Sequence, residues 1–170
     1  MRIGIIGPWR SMRGDIIEDE NRLIAEALSE MGHTVTPLPE LGGILTQATG
    51  FLKKANPVQI VIGSLVGARL ERQLFQYESV IVNGRGVNPG AIARAMGNRP
   101  VLIWERGGCA SEDCGSMPNA TFICECEERV KRTKKQGRRA VLVESEVRRD
   151  KAALKKRLKQ ALETSAKTTE

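Results

Sequence analysis

The chain has 170 residues, enough for one domain with a sizeable core, and 41% of them are hydrophobic against 28% charged, which excludes an intrinsically disordered polymer. Aromatic residues make up only 4%, so the interior must be built from Ile, Leu, Val and Ala. The formal charge of +7 is unevenly spread: residues 1–128 hold 12 Lys/Arg and 15 Asp/Glu, net −3, whereas residues 129–170 hold 15 and 5, net +10, so basic character belongs to the C-terminal part.

No apolar run approaches the roughly eighteen residues of a membrane span, and the opening MRIGIIG is too short for a signal-peptide apolar region. A cytoplasmic protein without membrane contact is expected. In a reducing compartment a structural disulfide is the weakest reading of clustered cysteines.

Strands and helices alternate along the chain. RIGIIG (2–7) is a continuous apolar run closed by Gly7-Pro8, as expected of a strand covered on both faces. Asp15 can cap a helix whose Ile16, Leu23, Ile24, Ala27, Leu28 and Met31 recur at helical spacing, with Gly32 as its stop. HTVTPL (33–38) predicts a second strand, 43–55 a helix, VQIVIG (58–63) a third strand and ARLERQLFQY (68–77) a helix. SVIVN (79–83) is a fourth strand, followed by a short helix from Pro89 to Met96. PVLIW (100–104), ATFICEC (120–126) and AVLVE (140–144) complete the strands, and a final helix over 146–164 carries Val147, Leu154, Leu158 and Leu162 on one stripe. The pattern predicts a Rossmann-like α/β fold: a mostly parallel sheet of five to seven strands with helices on both faces. It is read as one domain, 1–164, whose part 129–164 is basic, with a frayed tail at 165–170.

In such sheets ligands bind beyond the carboxyl ends of the strands, where strand-to-helix loops collect and helix N-termini point. Four loops meet that description. They carry Arg10, Ser11, Arg13 and Gly14 after the first strand; Ser64, Gly67 and Arg69 after the third; Gly84, Arg85, Gly86 and Asn88 after the fourth; and Glu105, Arg106 and Cys109 after the fifth. Glycine lets backbone approach a phosphate and arginine offers it a planar fork of donors, so an anionic small molecule such as a nucleotide is the expected ligand. In NGRGVNPG, Gly84 and Gly86 follow a strand, and Asn88-Pro89 opens a helix as N-cap and first helical residue. This nears a dinucleotide fingerprint, but Gly90 stands one residue late for its third glycine, and a tight strand-to-helix turn explains the segment equally. Glu105 could bind ribose hydroxyls or pair with an arginine.

All cysteines lie in one stretch, CASEDCGSMPNATFICEC, with Cys109, Cys114, Cys124 and Cys126 separated by four, nine and one residues. Four thiolates suit zinc or an iron–sulfur cluster. If 120–126 is extended, however, the sulfurs of Cys124 and Cys126 share a face with Phe122 about 7 Å apart, too far for neighbouring tetrahedral ligands without a bend. Buried inert thiols and redox pairing are the alternatives. Acidic neighbours Glu112, Asp113 and Glu125 would raise thiol pKa values unless a cation is present.

His33, the single histidine, leaves no Ser-His-Asp triad and reads as structural; Trp9 reads as a cover for the sheet end. RVKRTKKQGRR (129–139) has seven basic residues in eleven, which can meet an acidic protein surface or nucleic-acid phosphates. Without interleaved aromatics for base stacking, a protein partner is the preferred expectation.

ESVIVNGRGVNPGAIARAMGNRPVLIW and the opening IGIIGPW resemble the nucleoside deoxyribosyltransferase group. That family's acidic nucleophile lies on the helix where AIARAMG has no carboxylate, so its glycosyl chemistry does not transfer. MRIGIIGPWRSMRGD, NGRGVNPGAIARAMG and the clustered cysteines together resemble the archaeal proteins grouped as methanogenesis markers. That resemblance implies an accessory role in methanogens, in assembly or activation of methyl-coenzyme M reductase. The expectations are therefore an accessory binding protein with an anion or nucleotide crevice and a four-cysteine metal site, a nucleotide-dependent enzyme of nucleoside or phosphate chemistry, or a nucleic-acid-binding protein.

Overall fold

The computed structural model describes residues 1–7, 16–39, 65, 68–84, 89–105, 117–144 and 146–166. The apolar runs form strands because extended backbone inside a parallel sheet offers two covered faces to branched aliphatic side chains. Arg2–Gly7 (β1), Ser79–Val82 (β3), Val101–Trp104 (β4) and Ala120–Cys124 (β5) are buried along nearly their whole length. Thr34–Pro39 (β2) and Arg139–Leu142 (β6) are the partly exposed outer strands. Among the described residues the sheet has six strands in the order β2-β1-β3-β4-β5-β6, and every neighbouring pair is parallel. The expected Rossmann-like α/β fold is therefore present, with a sheet that is wholly parallel. The strand expected at 58–63 and the helix expected at 43–55 lie outside the described residues.

Helices cover both faces. Ile16–Glu30 (α1) and Lys151–Ala166 (α5) press Ile24, Ala27, Leu28, Leu154, Leu158 and Leu162 onto the face that presents Ile5, Ile81, Leu102 and Ile123. Residues 68–74 (α2) and Pro89–Met96 (α3) press Leu70, Leu74, Ile92 and Met96 onto the opposite face, with Val80, Val82, Ile103 and Phe122. Each fully buried large aliphatic chain contributes roughly 1.5–3 kcal/mol, so these two layers dominate the stabilisation. The predicted stop of α1 is a Schellman motif: Gly32 at φ +83° donates its N–H to Ser29 O (3.0 Å), and His33 donates to Leu28 O (3.1 Å).

Ion pairs add a second seam between α1 and α5. Lys151 meets Glu26 (3.5 Å) and Glu30 (2.6 Å), and Lys155 also meets Glu30, whose carboxyl is thereby held down at about 2. Exposed pairs of this kind add little next to the apolar stripe they flank.

Four local features differ from the sequence pattern. Glu127–Lys135 (α4) is a helix that the pattern does not predict, because its only fully buried residue is Thr133 and no apolar stripe marks it. Val147–Arg149 is a separate 3₁₀ turn, because the Asp150 side chain accepts the N–H groups of Ala152 (2.9 Å) and Ala153 (3.3 Å) and starts α5 afresh. Residues 165 and 166, expected in a frayed tail, form the end of α5, where buried Ser165 donates to Thr121 Oγ1 on β5 (2.7 Å). Finally, β5 ends at Cys124, so Cys126 does not share its strand.

Candidate anion-binding edge of the sheet

The chain runs from β1 to β2 on one side of β1 and later places β3 on the other side. That reversal falls at the carboxyl ends of β1 and β3, the place where open α/β sheets bind ligands in a crevice. Two asparagines and a glycine form the floor on which the two connections start. Asn21 on α1 and Asn83 just after β3 are both fully buried; Asn83 Nδ2 donates to Asn21 Oδ1 (2.8 Å), and Asn21 Nδ2 donates to Asn83 O (3.4 Å). Asn83 N–H donates to Ile6 O (2.9 Å), drawing the strand ends together. Gly7 lies so close beneath that a Cβ there would stand 2.2 Å from Asn83 O. Burying an amide pair is favourable only when its groups satisfy one another, so this floor fixes where the loops begin. α3 starts at Pro89 with no acidic residue in its first turn, leaving the positive end of its dipole uncompensated by its own side chains.

The neighbouring half of the same edge, past β4, β5 and β6, is differently made. Cys124 donates its thiol to Glu105 Oε2 (3.0 Å) and lies 3.8 Å from Thr133 Oγ1, while Arg129 donates to Glu105 O (3.4 Å). Burial, and then the facing Glu105 carboxylate, push the Cys124 thiol up to about 12. Arg148 stacks over the Trp104 ring at 5.0 Å and pairs with Glu125 (2.7 Å) and Glu20 (3.6 Å). These contacts tie the ends of β4 and β5 to α1, α4 and the 3₁₀ turn.

Glu105 thus follows the carboxyl end of β4, with its carboxylate turned to Cys124. Gly84 is in the turn after Asn83, and Arg69 is exposed on α2, while Arg10, Ser11, Arg13, Gly14, Ser64, Gly67, Arg85, Gly86, Asn88, Arg106 and Trp9 lie outside the described residues. Cys109 and Cys114 lie outside them too. The two remaining cysteines are not side by side: Cys124 is buried under α4, and Cys126 is exposed at the N-cap of that helix. Among the described residues no group of three His, Cys, Asp or Glu could hold a metal ion. The sequence sets acidity beside the thiols, yet the carboxylate that reaches Cys124 is Glu105, from the neighbouring strand. Asn21, Asn83, Trp104 and Arg148 carry no motif, and a polar residue inside an apolar helix stripe or just past a strand was their only signal.

In a Cys109→Ser, Cys114→Ser background, iodoacetamide should alkylate Cys126 in the folded protein and reach Cys124 only after unfolding in urea. Raising the pH from about 7 to 9 should leave Cys124 unreactive, because its thiol stays protonated there. Two thiols reacting at native conditions would contradict this account.

No protein-family model matches the chain, and no curated protein matches it. Similar solved structures include azoreductase AzrA, at TM-score 0.40 and 9% identity over 98% of this chain and 99% of that one. An FMN-dependent NADH-azoreductase from Bacillus anthracis in complex with FMN has TM-score 0.37 and 8% identity, covering 100% of both chains. A LacI family transcriptional regulator from Arthrobacter sp. FB24 in complex with lactose has TM-score 0.42 and 12% identity over 85% of this chain and 57% of that one. The fold assignment rests on this chain's own strand order. No described helix is long and apolar enough to cross a membrane.

Proposed function

We propose that the chain binds a phosphate-bearing small molecule of the nucleotide class at the carboxyl ends of β1 and β3. The observation that carries the reading is the strand-order reversal closed by Gly7, Asn21 and Asn83. In sequence, residues 8–15 follow Gly7 and residues 85–88 follow Gly84, so Arg10, Ser11, Arg13, Gly14, Arg85, Gly86 and Asn88 belong to the two connections that start at this floor. Backbone N–H groups at the start of α3 and the guanidinium groups of Arg10 and Arg85 would take the phosphate, each charged hydrogen bond contributing roughly 1.5–3 kcal/mol. Glu105 is less suited to a catalytic proton transfer while Cys124 occupies its carboxylate, which favours binding over turnover. An accessory role in methanogenesis rests on the sequence resemblance alone.

The test is titration calorimetry of the intact protein with ATP, NAD, FMN, inorganic phosphate and, as an uncharged control, lactose. One phosphate-bearing ligand should bind, and at a hundredfold excess over Kd it should stabilise the fold by about 2.7 kcal/mol, a rise of roughly 5–10 °C in Tm. Arg10→Ala and Arg85→Ala should each weaken it by about tenfold to a hundredfold. Unchanged affinity in both variants, or binding by lactose alone, would overturn the proposal.

A further inference from the structure

Among the described residues the sheet ends at β6, and that edge is basic. Strand β6 pairs with β5 on one side, through Thr121↔Arg139, Phe122↔Ala140, Ile123↔Val141 and Cys124↔Leu142, and among the described residues it has no strand on the other. Val143 donates its N–H to Cys124 O (2.8 Å), so by the two-residue alternation of a parallel ladder Val141 also faces β5. Ala140 and Leu142 therefore direct their amide and carbonyl groups outward. They do so into a groove of about 430 Å³ between α4 and α5. Lys134 and Arg138 rim it on the α4 side, Arg157 rims it on the α5 side, and none of the lining residues is acidic or aromatic.

Arg139, at the end of the groove, serves the fold instead. It donates to Thr164 O (3.1 Å) and Ser165 O (3.3 Å), closing the C-terminus of α5, and to Pro118 O. Arg138 packs its guanidinium over the Phe122 ring at 5.5 Å with Nη1 buried, so it too serves the fold. The groove therefore has outward backbone donors and acceptors along its base, and cations above both faces of the sheet.

We propose that this edge receives an acidic, extended segment of a partner protein as a further strand. Backbone hydrogen bonds to Ala140 and Leu142 would supply the register, and consecutive carboxylates, which point to alternate faces of a strand, would reach Lys134 on one side and Arg157 on the other. The same charges disfavour a second copy of this chain, whose own β6 edge would bring like charges together. Single-stranded nucleic acid is disfavoured because no aromatic ring lines the groove for bases to stack on.

The probes are a glutamate-rich peptide slightly longer than β6, the same peptide with N-methyl groups on alternate backbone nitrogens, and an oligouridylate of equal charge, each measured by fluorescence anisotropy against the full chain. The peptide should bind saturably, and N-methylation, which keeps the charge and removes the donors, should abolish binding. Lys134→Glu and Arg157→Glu should each weaken it by roughly tenfold. Both side chains lie at the surface rim, and an unchanged melting curve confirms that each variant is folded. Equal binding of the methylated peptide would mean attraction by charge alone; tighter binding of the oligouridylate would mean a nucleic-acid surface; no peptide binding would mean a merely guarded edge. Each of those three results overturns the proposal.

Discussion

Gly7→Ala is expected to lower stability by about 2–4 kcal/mol and Tm by roughly 5–15 °C, a large effect for the addition of one methyl group. The new Cβ would stand 2.2 Å from Asn83 O, 3.1 Å from Asn83 C and 2.6 Å from Asn21 Nδ2. The first two are backbone atoms of the adjoining strand end, and Asn83 can retreat only by giving up its N–H bond to Ile6 O and its amide exchange with Asn21. Two fully buried amides would then be left to find partners, at roughly 1–3 kcal/mol for each group left unsatisfied. Gly4→Ala is the control. Its Cβ would meet the end of the Leu38 side chain at 2.6 Å, and a terminal methyl can rotate aside, so the cost should be clearly smaller. Thermal melts of the two variants beside wild type decide the matter; a Gly7→Ala protein melting no lower than Gly4→Ala would show that the floor of the crevice is not closed as described. If the proposed ligand binds there, Gly7→Ala should also lose affinity under conditions where it remains folded.

The parallel sheet was legible in the sequence because burial on two faces leaves a continuous apolar run. β1, β3, β4 and β5 are such runs, and α1 and α3 carry their stop and start residues, Gly32 and Pro89, in plain view. α4 was hidden for the opposite reason. A helix that covers a sheet margin with Thr133 and the half-buried Val130 needs no stripe, and its lysines and arginines read as a bare charge run. The Asp150 break was hidden because an N-cap inside a periodic stretch leaves the spacing on either side intact. The loop arginines direct the sequence reading to the carboxyl ends of the strands, yet that reading passes over the residues that close the ends of β1 and β3. Asn21 and Asn83 are sixty-two positions apart, and only the pairing of α1 with the end of β3 brings them together. Likewise, Glu105 and Cys124 read separately along the chain, the one as a ribose ligand or arginine partner and the other as a metal ligand or buried thiol; adjacency of β4 and β5 makes them partners. Spacing along the chain carries no record of such meetings between strands.

Arg148→Ala should be the most damaging single change on the other half of the edge, costing about 2–4 kcal/mol and lowering Tm by roughly 4–15 °C. The wild-type guanidinium is 5% exposed, and its NH1 reaches two carboxylates, Glu125 at 33% and Glu20 at 14% exposure, while its plane covers the Trp104 ring. Removing it takes a shared cation from two partly buried acids and uncovers an indole whose own Nε1 has no hydrogen-bond partner among the described residues. Desolvated carboxylates that lose their counter-charge are penalised far more than the intact pair was worth, which is why the truncation outweighs a typical surface change. Arg148→Lys separates charge from shape. It restores a cation within reach of Glu125 but cannot lay a planar group over Trp104, so it should recover part of the loss and no more. Chemical denaturation of wild type and both variants reads out the ranking. A lysine variant no more stable than Arg148→Ala would assign the loss to packing against Trp104, and a lysine variant as stable as wild type would show that charge alone holds the ends of β4 and β5 to α1.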